Sequence, residues 1–131
     1  IAKAVRLRDS LNKDVPIVGN GDILSYQQGV DYVKTYGVDG IMVGRGVFQN
    51  IWIFDPGINP ATIPFQTRKE LLMKHITLFH QTWGNGAHFD RMKKYYKIYL
   101  SGMPHAAQLR NDLMQYHTAE ETLQHLHSIE L

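Results

Sequence analysis

Two short apolar runs, each followed by a glycine-rich loop, constrain the fold of this chain more than any other feature. The first run is Val15-Pro16-Ile17-Val18 and the second is Gly40-Ile41-Met42-Val43. Runs of this length between turn-forming residues are typical of strands that are buried on both faces. Because the segment between them is long enough for a helix, the two strands are predicted to be parallel, with a crossover helix.

Capping residues mark the helices around these strands. Residues 2–13 have the pattern of a helix. Ser25 followed by Gln28 forms a capping box that begins the crossover helix, and Gly37 marks its end. Because two strands do not form a stable parallel sheet alone, we expect further strands from outside this sequence, as in a segment of a longer α/β protein.

The second half of the chain has a different pattern. Prolines and a glycine between residues 55 and 66 indicate a linker, and the pattern beyond it is wholly helical. We therefore predict an α/β segment over residues 1–54 and an all-α segment over residues 67–131. Four helices with short connections are predicted there, which is typical of a bundle.

Capping residues also set the expected limits of these four helices. Thr67 with Glu70 forms a capping box for the first, and Thr118 with Glu121 forms one for the fourth. The second is predicted over residues 90–100, with its tyrosines packed in the core, and Pro104 is predicted to start the third. The apolar face of the first is predicted to comprise Leu71, Leu72, His75, Leu78, Phe79 and Trp83.

The two glycine-rich loops carry the clearest functional signal. Gly19-Asn20-Gly21-Asp22 follows the first strand, and Gly44-Arg45-Gly46 follows the second. In parallel α/β proteins, ligands bind at the carboxyl ends of strands, where glycines let the backbone approach a phosphate and an arginine adds charged donors. A phosphate site is therefore predicted. Asp22 is expected to shape it by bonding loop N–H groups or by capping the next helix.

Charge is unevenly distributed, although the net charge is only +2. Residues 68–110 contain eight basic side chains and two acidic ones, and no Lys or Arg follows them. Such a stretch is a candidate nucleic-acid surface, and a solvated helix face is the alternative. The three lysines among the candidates are expected to share one face of an α-helix. The candidate RNA contacts are Arg91, Lys93, Lys94, Lys97 and Arg110.

Several residue types and patterns are absent. The sequence contains no cysteine, which excludes disulfides, thiolate metal sites and a cysteine acid within the chain and is compatible with a reducing cytoplasm. The seven histidines lack metal-binding spacing, so no metal site is predicted. The apolar runs are too short to span a membrane.

Residues 15–23, 37–46 and 52–54 resemble the closing barrel segment of the tRNA-dihydrouridine synthases. Residues 92–100, followed by Ala106, Ala107, Leu109 and Arg110, resemble the helical tRNA-binding domain of that family. Lys93-Lys94-Tyr95 stands where the family usually has Arg-Lys-His.

The resemblance implies the last two βα units of an FMN-binding TIM barrel over residues 1–54. A linker over residues 55–66 and a helical, four-helix bundle-like tRNA-binding domain over residues 67–131 follow. The residues that match FMN-binding positions of the family are Asn20, Gly21, Asp22, Gly44 and Arg45.

The resemblance also implies a reaction. The family reduces the C5–C6 double bond of uridine in tRNA, with NADPH as the reductant of the flavin and a cysteine as the general acid. Since this sequence has no cysteine, the acid is expected in an earlier barrel segment. The chain alone is expected to be inactive and cytoplasmic.

Two other functions stay open. Another FMN-dependent barrel oxidoreductase that acts on a small molecule would explain the glycine loops but not the basic helices. A non-catalytic RNA-binding or structural fragment would explain the helices. Such a fragment is expected to self-associate through the exposed faces and edges of its sheet.

Overall fold

The computed structural model describes residues 1–129, except for the side chains of residues 86 and 87. The chain is mostly helical, with a small parallel sheet, and divides into two compact units after Pro60. Its α-helices and strands are α1 (Ala2–Ser10), β1 (Val18–Asn20), α2 (Tyr26–Tyr36), β2 (Gly40–Met42), α3 (Phe65–Trp83), α4 (Tyr96–Tyr99), α5 (Ala106–Leu113) and α6 (Ala119–Ser128). Shorter-pitch 3₁₀ helices lie at Arg45–Phe48, Pro60–Thr62 and Gly86–Tyr95.

Strands β1 and β2 of the first unit are parallel neighbours, and α2 is the crossover helix between them, as predicted. Val18 pairs with Gly40, and Asn20 pairs with Met42. Strand β1 begins at the end of the predicted apolar run rather than at Val15. Pro16 has no N–H to donate to a strand ladder, which explains the late start.

The prediction that both strands are buried on two faces is wrong for this chain. Val15 and Val18 are 57% and 58% exposed, and Met42 is 56% exposed. Only Gly19 is buried within β1. The first unit buries its apolar side chains elsewhere, at Val5, Ile23, Val38 and Ile53.

The predicted limits of α2 are confirmed. The Ser25 hydroxyl accepts a hydrogen bond from the Gln28 N–H at 3.1 Å, and the Gln28 side chain accepts one from the Leu24 N–H at 2.8 Å. The reciprocal bonds satisfy two N–H groups that a helix N-terminus leaves without an intrahelical acceptor. At the other end Gly37 adopts φ 66°, the left-handed conformation that favours glycine.

Helix α3, the first α-helix of the second unit, starts earlier in the chain than predicted. It starts at Phe65 after Pro64, without a side-chain cap, so the predicted capping box of Thr67 and Glu70 is wrong. Glu70 instead accepts a hydrogen bond from the Gln66 side chain at 2.7 Å. This bond spans one helical turn and belongs to the helix interior.

The predicted apolar face of α3 is only partly correct. Leu72 and Ile76 are completely buried, but Leu78 and Trp83 are 52% and 60% exposed. Leu78 lies about 120° around the helix from Leu72, because each residue of an α-helix advances 100°. Trp83 lies on the same side as Leu72 but is the last residue of the helix.

The predicted α-helix over residues 90–100 is instead a ten-residue 3₁₀ helix, Gly86–Tyr95, followed by the single turn α4. A 3₁₀ helix has 3.0 residues per turn, so side chains three apart are eclipsed and form straight rows. Phe89 and Met92, both fully buried, are in the row that faces the core. Because three residues make one turn, the direction of this row also fixes the directions of the other two rows of side chains on the helix.

Helices α5 and α6 complete the core of the second unit. Helix α5 begins at Ala106, close to the predicted start. The Thr118 hydroxyl accepts a hydrogen bond from the Glu121 N–H at 3.3 Å, which confirms the predicted cap of α6. The buried core cluster comprises Leu72, Ile76, Phe89, Met92, Tyr96, Leu100, Leu109, Leu113, Ala119 and Leu126.

Within residues 1–129 no helix combines the length and the apolar character needed to cross a membrane.

Candidate functional site

The two glycine-rich loops lie side by side in the first unit. The pairing of Asn20 with Met42 brings the carboxyl ends of β1 and β2 to the same edge of the sheet. There the Arg45 guanidinium donates a hydrogen bond from Nη2 to Asp22 Oδ1 at 2.7 Å. The structure therefore brings together the residues that the sequence analysis selected in the two loops.

The paired charges of this edge face solvent. The Arg45 and Asp22 side chains are 82% and 79% exposed. Asp22 does not cap α2, whose N-cap is Ser25. Its carboxylate accepts the hydrogen bond from the Arg45 guanidinium. The alternative that Asp22 caps the next helix is therefore wrong, whereas its expected role in shaping the site stays a prediction.

The glycines of the second loop have two different surroundings. A methyl group added at Gly46 would lie 1.9 Å from the Ile23 carbonyl oxygen, so this glycine permits the close approach of the two loops. A methyl group added at Gly44 would meet no atom within 4 Å. The backbone at Gly44 is therefore accessible to a ligand from outside.

The backbone of the first loop is also unusual. Gly21 has φ 151° and Asp22 has φ 34°, both on the positive side that most side chains avoid. A guanidinium has five N–H donors, so an Arg45 that is bound to one carboxylate oxygen keeps donors for a phosphate. The exposed guanidinium and the open backbone at Gly44 fit a phosphate group.

The basic residues of the second unit fall into two groups: those that bond to other parts of the protein and those that are exposed. Lys93 belongs to the first group. Its side chain is 9% exposed, and its ammonium donates to the Met114 carbonyl at 2.8 Å and lies 2.8 Å from Asp90 Oδ1. The prediction that Lys93 shares an exposed face with Lys94 and Lys97 is wrong. On a 3₁₀ helix Lys93 is in one row with Asp90, three residues before it.

Three further cations of this stretch also serve the fold. The Arg110 guanidinium donates to the carbonyl oxygen of Leu100, just after α4, which does not favour its predicted contact with RNA. Lys69 is buried and donates to the Ile129 carbonyl at 2.9 Å. Arg68, also buried, donates to the Ile63 carbonyl at 3.3 Å.

The remaining candidates, Arg91, Lys94 and Lys97, are exposed. The Lys94 ammonium lies 4.8 Å from the centre of the Tyr95 ring, a cation–π contact. Arg91 and Lys94 are three residues apart on the 3₁₀ helix and therefore lie in one row. These cations are available to an anionic partner.

The tyrosines of this stretch pack in the core, as predicted. Tyr96 is completely buried, and Tyr95 and Tyr99 are half-buried against the same cluster. The Tyr99 hydroxyl and His75 Nδ1 lie 3.0 Å apart, within hydrogen-bonding distance. Burial raises the pKa of Tyr99 and lowers the pKa of His75, so both groups are held in their neutral forms at neutral pH.

Asp90 connects the 3₁₀ helix to the segment before α6. Its carboxylate lies 2.8 Å from the Lys93 ammonium and 3.0 Å from His117 Nδ1. The hydrogen bond from Lys93 is the largest effect and lowers the pKa of Asp90; burial opposes it, and the bond with His117 lowers the pKa further. Asp90 is thus ionised at neutral pH and holds Lys93 away from solvent.

A cleft that the sequence analysis did not foresee lies between the end of α3 and the 3₁₀ helix. It has a volume of about 240 Å³. Trp83 was predicted to lie in the core, and His88 had no predicted role. The sequence feature that could have indicated this cleft is the spacing of three residues between the basic side chains at positions 88, 91 and 94. The lining residues are Phe79, Trp83, His88, Arg91, Lys94 and Tyr95.

The fold and the site together define an α/β unit with a polar site at its strand ends, joined to a helical unit with exposed cations. The family model described as Dihydrouridine synthase (Dus) matches residues 1–130. The match includes both glycine-rich loops and the 3₁₀ helix. The chain therefore belongs to the dihydrouridine synthase family.

Curated relatives carry corresponding names. The chain is 34% identical over 125 residues to the "Probable tRNA-dihydrouridine synthase" of Staphylococcus epidermidis, covering 95% of this chain and 38% of the relative. It is 34% identical over 122 residues to the "Probable tRNA-dihydrouridine synthase 2" of Bacillus subtilis, covering 92% and 37%. It is 31% identical to a Staphylococcus aureus relative over 116 residues. The chain thus spans somewhat more than a third of the length of these relatives.

Proposed function

We propose that this chain is the FMN-phosphate-binding and tRNA-binding part of a tRNA-dihydrouridine synthase. This oxidoreductase reduces the C5–C6 double bond of uridine in tRNA. In this proposal the first unit is the end of a TIM barrel, and the second is a bundle-like tRNA-binding domain. The observation that carries the proposal is the 2.7 Å contact between Arg45 and Asp22, which joins two loops at one edge of a parallel sheet. Membership of the dihydrouridine synthase family supports it.

The proposed cofactor residues are Asn20, Gly21, Asp22, Gly44 and Arg45, and three of them have distinct proposed roles. Arg45 would donate charged hydrogen bonds to the phosphate of FMN. The open backbone at Gly44 would let that phosphate approach closely. Asp22 would orient the guanidinium rather than contact the phosphate, because two anions repel each other.

A bound FMN supplies hydride transfer, with NADPH as the source of electrons. This chain holds the phosphate end of the cofactor and contacts the RNA. The general acid of the family is a cysteine, and the 131 residues contain none. We therefore propose that the acid is carried by another segment of the barrel. The target uridine would have to leave the base stack to reach the flavin.

For tRNA, the exposed cations Arg91, Lys94 and Lys97 are the proposed contacts to phosphates. Lys93 and Arg110 are left out, because both donate to carbonyl groups of the protein. Each phosphate contact releases counterions from the RNA, so binding is expected to weaken steeply with salt.

Comparison of FMN with riboflavin tests the phosphate site, because riboflavin lacks the phosphate. Replacement of Arg45 by Gln is expected to lower FMN affinity about tenfold or more while leaving riboflavin affinity unchanged, since a hydrogen bond to a charged group contributes about 1.5–3 kcal/mol. Arg6→Gln, at an exposed arginine of α1, is the matched control. Calorimetric titration measures both ligands. Equal FMN affinity of the Arg45 variant and the unmodified chain would contradict the assignment.

A chimera tests the proposed reaction. In it, this chain replaces the matching segment of the Bacillus subtilis relative. A folded chimera that binds FMN is expected to form dihydrouridine in tRNA with NADPH, measured by mass spectrometry of digested tRNA. A chimera that holds FMN and binds tRNA but forms no dihydrouridine would refute the proposed activity.

Reduction of a small molecule by another FMN-dependent barrel enzyme is the second candidate, since the loops of the first unit fit it equally well. The exposed cations of the second unit favour tRNA instead. A salt series of tRNA binding separates the two. A flat dependence of affinity on salt would favour the small-molecule substrate.

A further inference from the structure

Trp83 is an unusual side chain of the second unit, because it is large, apolar and 60% exposed. It is the last residue of α3, which ends where Gly84 adopts φ 70°. Trp side chains are highly buried on average, so an indole that faces solvent marks a surface that a partner can cover.

Aromatic rings fix the floor of the cleft beside Trp83. Phe79, one turn earlier on α3, packs edge-to-face against the fully buried Phe89, with ring centres 6.5 Å apart. Tyr95, at the end of the 3₁₀ helix, packs against the same core. The floor is therefore part of the folded core, and a ligand enters a preformed site.

A straight row of basic side chains forms the other wall. His88, Arg91 and Lys94 are three residues apart on the 3₁₀ helix and are therefore eclipsed, about 6 Å from one to the next at a rise of about 2 Å per residue. All three are exposed and line the cleft. None of the six described lining residues is acidic.

An aromatic surface next to a row of basic side chains matches the chemistry of a nucleotide. The ring of a base stacks on an aromatic side chain, and its phosphates meet Lys or Arg. The volume of about 240 Å³ is below the range of about 300–1,000 Å³ for drug-sized ligands, and it suits one ring system. A paired base has both faces covered within the duplex, so only an unpaired base can stack in this way.

We propose that this cleft binds an unpaired nucleotide of RNA, with its base stacked on Trp83 and its phosphates held by the row of His88, Arg91 and Lys94. The inference rests on the proposed tRNA-binding role of the second unit. It deepens that role by assigning the feature of the RNA that the unit recognises, which is a single-stranded loop or bulge rather than a duplex.

Binding of two RNA probes by the 131-residue chain tests the inference. The probes are a labelled RNA stem-loop and a fully paired RNA duplex of equal length, followed by fluorescence anisotropy. Replacement of Trp83 by Ala is expected to weaken stem-loop binding about tenfold or more and to leave duplex binding unchanged. Leu78→Ala, at an exposed apolar residue of the same helix outside the cleft, is expected to leave both unchanged. Trp83→Phe is expected to restore part of the affinity.

Salt dependence tests the basic wall separately. Arg91→Gln is expected to reduce the slope of log affinity against log salt by about one, because one phosphate contact is lost. Lys74→Gln, at an exposed lysine of α3 outside the cleft, is the matched control and is expected to keep the slope. If Arg91→Gln leaves the slope unchanged, the proposed binding of phosphates by the basic wall is wrong.

The outcomes separate this inference from the proposed function. If the unmodified chain binds the stem-loop and Trp83→Ala binds it equally well, the inference fails while the tRNA-binding role stands. If the Trp83 variant loses affinity equally for stem-loop and duplex, the unpaired-base assignment fails. If poly-glutamate quenches Trp83 fluorescence and RNA does not, the cleft takes acidic peptides and the inference is wrong. If the unmodified chain binds neither RNA, both the inference and the tRNA-binding role fail.

Discussion

Lys93 and Lys94 are adjacent in the sequence, but their side chains have different surroundings. Lys93 is 9% exposed and bonds to Met114 and Asp90, whereas Lys94 is exposed above the ring of Tyr95. Rotation around the 3₁₀ helix accounts for the difference, because consecutive residues lie 120° apart at three residues per turn. A cluster of basic residues in a sequence therefore overstates the number available to RNA.

Substitution of these two lysines should separate stability from binding. Lys93→Gln is expected to lower the free energy of unfolding by about 1–3 kcal/mol, because it disrupts hydrogen bonds of a nearly buried charged group. Lys94→Gln is expected to change it by less than about 0.5 kcal/mol and to weaken RNA binding. Urea denaturation measures the first effect and filter binding the second. Equal stabilities of the two variants would contradict the assigned roles.

Asp39 holds the start of both strands in the first unit. Its carboxylate accepts hydrogen bonds from the Ile17 N–H at 2.7 Å and from the Arg8 guanidinium. The Ile17 bond is the largest cause that lowers the pKa of Asp39 below its ordinary value of 3.8, and the charge of Arg8 lowers it further. Because the folded pKa is the lower one, this stabilisation is fully present above pH 3.8 and is lost as the pH falls through the folded value.

Asp39→Asn is therefore expected to destabilise the first unit at neutral pH and to have less effect in acid. The stabilities of the variant and the unmodified chain should converge as the pH falls through the lowered pKa of Asp39, because the carboxyl group is then protonated in both the folded and the unfolded state. Denaturant titrations over a series of pH values measure this. Asp14→Asn, at an exposed residue, is the control. A stability difference that is constant from neutral pH to acid would argue against the charge of Asp39 as the cause.

Among the helices, the 3₁₀ helix has the largest consequences for function. Runs of more than three or four residues in this conformation are uncommon, and this one has ten. Its core row of Phe89 and Met92 determines which side chains reach the cleft. In an α-helix with the same sequence, the three basic residues of the wall would spread over about 120° around the axis and would not form a straight row.

The two predicted capping boxes of the second unit, one confirmed and one wrong, provide a matched test at the scale of helices. Thr118→Ala is expected to cost about 0.5–2 kcal/mol, because the Glu121 N–H at the start of α6 loses its acceptor. Thr67→Ala is expected to cost nothing or to stabilise slightly, because Thr67 lies inside α3, where alanine has the higher helix propensity. Thermal unfolding followed by circular dichroism compares them. A larger loss for Thr67→Ala would contradict the assigned start of α3.

For the whole molecule, the two units differ in how well they cover their apolar side chains. The second unit has one core cluster, in which most members are completely buried. The first unit leaves large apolar side chains on its surface. They include Leu7, Leu11, Val15, Val18, Met42, Phe48 and Phe54.

Such a surface predicts that the 131-residue chain self-associates. Contiguous apolar patches and uncovered strand edges both favour contact between copies. Sedimentation velocity is expected to show a mass that rises with concentration. Replacement of Val18 and Met42 by Thr, which places a β-branched and less apolar residue at both positions, should reduce this rise. A monomer at all concentrations would contradict the prediction.

The sequence alone determined the features that depend on neighbours along the chain. The strand–helix–strand unit, the caps of α2 and α6 and the adjacency of the two glycine-rich loops were all predictable. Each follows from local capping chemistry or from the rule that parallel strands end at one edge. The resemblance to the family also came from these local motifs.

Only the tertiary structure decided which side chains face the core and which face a partner. The sequence analysis placed Trp83 inside and Lys93 outside, and the structure reverses both. The physical reason is that burial depends on the pitch and rotation of each helix, which are set by packing against distant residues. In the second unit, Phe89 and Met92 lie buried in one row of the 3₁₀ helix, and the position of that row decides which cations remain exposed.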